Sequence, residues 1–264
     1  MRKVVGSLRN LCQLIVYLPY SSDLKEFRKK GDQMLENRQK LGSSRKDVFR
    51  HLLAEDSETS CKFTQAELNS NANLLIVAGA DTTSSTLAQT FGVLAKDERV
   101  LRRLQKEIDS VEGELTVEST KNLPYLNAVV NEGLRVLNPI PSGIQATTSP
   151  GGVEIGGINF PGNIQVQIPH IVLMTDERYF PRPEEFIPER WTEERYDLLL
   201  DRRAFIPFGY GVHSCVGKQL ALNEMRLVLA RVVKEFDVVK GESYDEEVFR
   251  KEWKDYAIAK IGVS

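Results

Sequence analysis

Histidine and cysteine are both scarce in this chain, with three of each among 264 residues. The cysteines, Cys12, Cys61 and Cys215, are odd in number and far apart, which argues against a disulfide framework and fits a reducing compartment. A closed zinc site lacks its ligands, because only His213 lies near Cys215 and the other histidines and cysteines are distant in sequence. Long apolar runs are missing as well. No stretch reaches the ~18 uninterrupted residues that cross a bilayer. Leu11 to Leu18 is too short, lies beside Arg2, Lys3 and Arg9, and lacks the small-residue cleavage site of a signal peptide. It reads as an ordinary helix or loop, or as an amphipathic segment touching a membrane surface. No charge of one sign dominates: the net charge is −2, which removes nucleic acid from the expected partners. What is present, 41% hydrophobic and 27% charged residues, suffices for a substantial core in one large domain or two ordinary ones.

The most chemically suggestive stretch is Phe205-Ile206-Pro207-Phe208-Gly209-Tyr210-Gly211-Val212-His213-Ser214-Cys215-Val216-Gly217. It places one cysteine in a turn-rich segment just before a helical pattern, Lys218 to Lys234. A helix N-terminus offers unpaired backbone N–H groups and the positive end of the dipole, an environment that favours a thiolate as ligand or nucleophile. Gly209, Gly211 and Gly217 let the chain curl around the sulfur and lie flat against something large. Three other readings stand beside a ligand loop: a buried free cysteine in a glycine-rich turn, a Cys215/His213 catalytic pair without a third, orienting group, and the zinc site already noted.

In chain order, Asp23 to Leu53 carries Leu24, Phe27, Met34, Leu35 and Leu41 at helical spacing on a charged background, a solvated helix with one apolar stripe. Thr64-Gln65-Ala66-Glu67 is a capping box, and no proline follows until after Leu94, which predicts one long helix. Its middle, Leu74 to Ala80, is apolar nearly all round and is therefore expected to be buried. Ala78-Gly79-Ala80-Asp81-Thr82-Thr83-Ser84-Ser85-Thr86 breaks the local rules, since glycine, an acid and hydroxyls lower helix propensity. Such a stretch marks either a kinked helix-helix contact or a functional site.

Asp97 to Val111 is a second, amphipathic helix. The next, Leu126 to Leu137, contains Glu132-Gly133-Leu134-Arg135, and residues three apart share a helix face. As an isolated surface pair, Glu132 and Arg135 would contribute little. Ile144 to Ile168 holds strand signals punctuated by Gly151-Gly152, Gly156-Gly157 and Pro161-Gly162, which predicts a small sheet of hairpins. Phe236 to Val239 and Tyr256 to Ile261 suggest a terminal strand pair.

The spacing Phe208, Gly211, His213, Cys215 and Gly217 resembles the cysteine loop of the cytochrome P-450 family of haem-thiolate monooxygenases. Three more stretches resemble that family in the same order: the Gly79-Ala80-Asp81-Thr82 stretch, Glu132-x-x-Arg135, and Phe186-Ile187-Pro188-Glu189-Arg190-Trp191. The resemblance implies a mainly α fold with a small β-sheet, a single domain over 1–264. Its parts would be an N-terminal helical segment at 1–62, a long distal helix at 64–95, the Glu-x-x-Arg helix at 126–137, the sheet at 144–168, the cysteine loop at 205–217 and a final helix at 218–235. It implies haem with Cys215 as the axial iron ligand and Phe208 packed beside the thiolate, with Gly211, His213 and Gly217 completing the cofactor loop. Gly79 would open a groove for dioxygen, Thr82 would hydrogen-bond the bound dioxygen, and Asp81 would relay protons. Glu132, Arg135 and Arg190 would form a buried structural lock.

The implied activity is insertion of one oxygen atom of O2 into an apolar organic substrate, in the manner of fungal secondary-metabolism members. Electrons would come ultimately from NADPH through a reductase, at the cytoplasmic side of the endoplasmic reticulum membrane. Arg202, Arg203 and Lys218 would be either a docking face for that reductase or ordinary solvated charges. Members of the family are roughly twice this long, so the chain is expected to represent the C-terminal half, without the anchor. Two departures predict weaker haem anchoring: Ala146 and His213 stand where the family often has arginine. The alternatives are a catalytically incompetent remnant and a non-enzymatic helical protein.

Overall fold

The computed structural model describes residues 21–42, 45, 47–53, 63–241, 253–255 and 259–261. Leu11 to Leu18, Cys12 and Cys61 lie outside them. The chain forms two compact units, Met1–Ala78 and Gly79–Ser264.

In the first unit, α1 (Ser21–Lys40) and α2 (Val48–Leu53) replace the single helix expected over 23–53. The break is held by side chains: Arg38 donates to both Asp47 carboxylate oxygens at 2.7 Å and to the Gly42 carbonyl at 2.8 Å, a backbone group that a continuous helix would bond internally. Leu35, Leu68 and Ala72 form this unit's buried cluster, flanked by Phe49, Leu52 and Leu53.

The unit boundary falls within α3 (Gln65–Leu94), assigned as a continuous helix. Its capping box forms: the Glu67 backbone N–H donates to Thr64 Oγ1 at 3.3 Å, and the Thr64 N–H donates to the Glu67 carboxylate at 2.7 Å. The expected burial of Leu74 to Ala80 is not found: Leu74 is 62% exposed, and Leu75, Val77, Ala78, Gly79 and Ala80 are exposed too. An apolar surface all round a helix states a need for cover on every side. Among the described residues, the apolar clusters take in Leu68 and Ala72 before this stretch and Leu87, Phe91 and Leu94 after it.

The second unit is built on α4 (Glu98–Asp109), α5 (Val117–Lys121), α6 (Pro124–Val136) and α8 (Lys218–Glu235). Asp97 caps α4, accepting from Val100 N–H at 3.1 Å, and the helix buries Val100, Leu101, Leu104 and Ile108. These pack with Leu126, Val129, Val130, Met225, Leu229 and Val233, each fully buried side chain contributing about 1.5–3 kcal/mol. Helix α6 starts with Pro124 and has no side-chain cap from Leu123. Glu107 of α4 supplies the cap from outside, accepting from the N–H groups of Tyr125 (2.8 Å) and Leu126 (2.7 Å).

Strands β1 (Gln145–Thr147) and β4 (Gln165–Gln167) pair antiparallel with Ala146 opposite Val166. Between them in sequence, β2 (Val153–Ile155) and β3 (Ile158–Phe160) make a second two-stranded sheet closed by the turn Gly156–Gly157. Helix α7 (His170–Met174) comes next, then short 3-10 turns at Pro188–Trp191, Glu193–Leu198, Arg202–Ala204 and Gly211–His213. The terminal pair is β5 (Trp253–Asp255) with β6 (Ala259–Ile261), and Phe236 to Val239 is not a strand. The expected pairing is thus corrected. Phe236 only caps α8, its N–H donating to Val232 O, and the residues up to Val239 have no strand partner among the described residues. No helix of the described residues is long and apolar enough to cross a membrane.

Candidate active site

The cysteine loop is shaped by its own backbone. Cys215 N–H donates to Phe208 O at 2.8 Å, Gly209 N–H to Ile206 O at 2.9 Å, and Ser214 N–H to Gly211 O at 3.0 Å. Gly209 (φ +71°) and Gly211 (φ +79°) occupy the left-handed region where a Cβ is strained. Gly217 differs from the expectation: its φ of −83° suits any residue, because it is the N-cap of α8. A Cβ there would lie 3.8 Å from Cys215 Sγ, an ordinary contact, so neither backbone angle nor space requires glycine at 217.

Cys215 is exposed, which excludes the buried-turn reading. Around it Tyr210, Val212 and Val216 are 90%, 95% and 94% exposed, an unusual concentration of uncovered apolar groups. Phe208 is half-buried against the core, and Lys218 lies 5.9 Å over its ring. His213 ends the short turn Gly211–His213 and is exposed. Arg203 pairs with Asp201 at 2.6 Å, so it is a partnered surface charge. Among the described residues no three His, Cys, Asp or Glu side chains gather as a metal site.

Gly79, Asp81 and Thr82 lie on α3. Gly79 has open space where a Cβ would point, while Asp81 and Thr82 are half-buried. From here the helix turns a polar face inward: Thr83, Thr86, Gln89 and Thr90 are buried. Thr86 Oγ1 donates to Thr82 O at 3.1 Å and Thr90 Oγ1 to Thr86 O at 2.8 Å, which satisfies these two hydroxyls within the helix.

Glu132, Arg135 and Arg190 come together, each 0% exposed. The Glu132 carboxylate accepts from Arg135 Nε (3.0 Å) and Nη2 (2.9 Å), Arg190 Nε (3.0 Å), Trp191 Nε1 (2.8 Å) and Ile187 N–H (2.9 Å). Two guanidinium groups against one carboxylate leave an extra positive charge, spread over backbone carbonyl dipoles. Arg135 donates to Met174 O and Glu185 O, and Arg190 donates to Pro181 O, Leu198 O and Arg182 O. Burial pulls the Arg190 guanidinium below its ordinary pKa, and Glu132 opposes that shift. The pair that would be weak on a surface is a buried cross-link between α6, the Pro188–Trp191 turn and the segment entering it.

A neighbouring cluster has no counterpart among the sequence motifs. The buried Tyr125 hydroxyl donates to Glu189 Oε1 at 2.9 Å, Glu189 also accepts from Arg99, and Arg103 lies 4.2 Å over the Tyr125 ring. Arg99, Arg103 and Glu189 border a cleft of about 670 Å³ that contains none of the expected site residues. Its arginines face carboxylates, which makes it a charge-balanced surface feature. Burial first, and then the charge of Glu189, hold the Tyr125 hydroxyl above its ordinary pKa. A donor whose folded pKa is raised stabilises fully below the unfolded value, and the contribution falls as pH climbs further. Tyr125→Phe is therefore expected to cost about 1.5–3 kcal/mol at neutral pH and to lessen the loss of stability above pH ~10, checked by urea unfolding across that range.

Two solved structures share this architecture. The crystal structure of the cytochrome P450DA heme domain matches with a TM-score of 0.77 at 24% identity, covering 96% of this chain and 56% of that one. A mutant of the same heme domain matches at 0.76, covering 91% and 52%. The class is thus a mainly helical fold with small antiparallel sheets, as in those heme domains. The family model described as Cytochrome P450 matches residues 19–257, and the chain belongs to that family. It is 36% identical to Cytochrome P450 67 of Uromyces fabae over 95% of this chain and 49% of the relative. It is 37% identical to Cytochrome P450 monooxygenase aclL of Aspergillus oryzae, over 96% and 52%, and 36% identical to Tryprostatin B 6-hydroxylase of Aspergillus fumigatus, over 75% and 36%. The chain spans about half the length of the first two curated relatives.

Proposed function

We propose that this chain is the cysteine-bearing portion of a haem-thiolate monooxygenase that inserts one oxygen atom of O2 into an apolar small molecule, in fungal secondary metabolism. One observation carries the reading: an exposed Cys215 thiol in a loop bent by two left-handed glycines and surrounded by uncovered Tyr210, Val212 and Val216. The donor set fits haem, with one soft sulfur for the iron and flat apolar surroundings for a porphyrin. When bound, haem supplies the activation of dioxygen. The chain's own residues do the rest: Cys215 holds the iron and Phe208 packs at the base of the loop. Gly79 leaves room beside α3, while Asp81 and Thr82 offer a carboxylate and a hydroxyl for moving protons. The Glu132–Arg135–Arg190 cluster keeps the supporting core rigid.

Relatives named as monooxygenases and as a tryprostatin B hydroxylase support the reaction class. The reading carries with it NADPH-derived electrons, a reductase partner and the cytoplasmic face of the endoplasmic reticulum membrane as the place where the two meet. A second reading is haem binding without turnover, since the chain spans only 52% and 36% of the relatives whose names give them a monooxygenase or hydroxylase activity.

The test is the reduced carbon-monoxide difference spectrum of the haem-loaded chain, followed by NADPH- and reductase-dependent consumption of an apolar substrate panel. A strongly red-shifted Soret band with product formation is expected. The band without product selects the second reading, and no band overturns both.

A further inference from the structure

Helix α3 meets α6 at one unusually close point. A Cβ built on Gly133 would lie 2.7 Å from Thr90 Oγ1, nearer than real Cβ contacts come. Thr90 is buried, and its hydroxyl is directed by its bond to Thr86 O at 2.8 Å, so it is not a loose side-chain end that swings aside freely. Gly133 is equally constrained. It adjoins Glu132, whose carboxylate receives donors from Arg135, Arg190, Trp191 and the Ile187 backbone. Two further buried polar side chains of this face are bonded back along α3, Thr86 to Thr82 O and Gln89 to Ser85 O at 3.3 Å. Leu87, Phe91 and Leu94 pack into the core through non-directional apolar contact, which tolerates small slides of a helix along its axis.

We propose that Thr90, seated against the glycine at 133, is the positioning contact that sets the register and rotation of α3, and with it the placement of Asp81 and Thr82 about two turns away along the same helix. The inference rests on the reading of Asp81 and Thr82 given above. Interiors are close-packed, so a methyl group at 133 is accommodated by displacement of the Thr90 turn, and a continuous helix carries that displacement toward its polar stretch. Thr90 and Gly133 act through α3 and have no chemical role of their own.

The test uses the wild type, Gly133→Ala, Thr90→Ala and the double variant. Each is loaded with haem and carbon monoxide and read by the C–O stretching band, and each is also read without haem by amide hydrogen exchange over residues 79–86. All four are expected to keep the thiolate spectrum, because the Cys215 loop is closed by its own backbone bonds. Gly133→Ala shifts the C–O band, as Thr82→Ala does in parallel, and speeds exchange at 79–86 about tenfold relative to the rest of α3. Adding Thr90→Ala, which removes the clashing oxygen, returns both readouts toward the wild type. The proposal is overturned if Gly133→Ala lowers stability uniformly while the C–O band and the local exchange pattern stay in place, or if the double variant restores neither. A wild type that takes up no thiolate-ligated haem means that the reading of Cys215 has failed. The exchange pattern of the unloaded chain then decides the register claim by itself.

Discussion

Glu132→Gln is expected to destabilise the second unit by about 3–5 kcal/mol, a large share of what holds a domain folded. The substitution is nearly isosteric, so it makes no cavity. It turns one acceptor oxygen into an amide that points its own hydrogens at Arg135, Arg190 or Trp191, and it strips two fully buried guanidinium groups of their only carboxylate. Removing one partner from a buried ion cluster costs about 3–5 kcal/mol, against a total stability of about 5–15 kcal/mol for a typical protein. Arg190→Lys is expected to behave similarly. A lysine ammonium cannot reach Glu132, Pro181 O, Leu198 O and Arg182 O together as the fork does. Replacing the whole trio with apolar residues does not restore that stability, because the carbonyls of Met174, Glu185, Pro181 and Leu198 are left without the arginine donors that now satisfy them. Urea unfolding followed by tryptophan fluorescence measures this directly through Trp191. A Glu132→Gln chain within about 1 kcal/mol of the wild type would show that the cluster adds no net stability.

The second large effect is chemical. Cys215→Ser is expected to abolish the red-shifted carbon-monoxide band and to reduce turnover to background, while leaving folding stability within about 0.5 kcal/mol of the wild type. The separation follows from where the residue sits. Its side chain is exposed, and its structural contribution is the backbone N–H donated to Phe208 O, which serine keeps. A serine hydroxyl stays protonated and is a hard, weak donor, whereas a thiolate pushes electron density onto the iron. Circular dichroism, urea midpoint and the difference spectrum, taken on the same preparations, check the prediction. A serine variant with an unchanged spectrum means that another group ligates the iron. A serine variant that unfolds means that the cysteine is structural.

Legibility follows the range over which each interaction acts. The start of α3 is readable because Thr64 and Glu67 cap each other across one turn. The Gly156–Gly157 hairpin is readable because a two-residue turn states its own geometry. The family motifs are readable because Glu132-x-x-Arg135 and the loop around Cys215 are compact in sequence. Glu107 as the cap of α6 and Glu189 as the acceptor for Tyr125 are not, since 18 and 64 residues separate the partners and an ordinary surface carboxylate has the same local sequence. The stretch Leu74 to Ala80 departs from its expected burial for a related reason. Apolar composition on all sides expresses a demand for burial, and only neighbouring elements decide whether it is met.

The sequence by itself determined the long helices α3, α4, α6 and α8, the turning of the loop at Gly209 and Gly211, and which family the chain resembles, because caps, periodicity and short motifs act between residues a few positions apart. Tertiary structure alone decided that Glu132, Arg135 and Arg190 are wholly buried, that Cys215 is exposed, that the apolar stretch Leu74 to Ala80 of α3 is largely uncovered and the helix polar inside after it, and that Gly133 admits Thr90. Each of those depends on the desolvation and contact made by residues far away in the chain, and one side chain's burial is set by the others' positions.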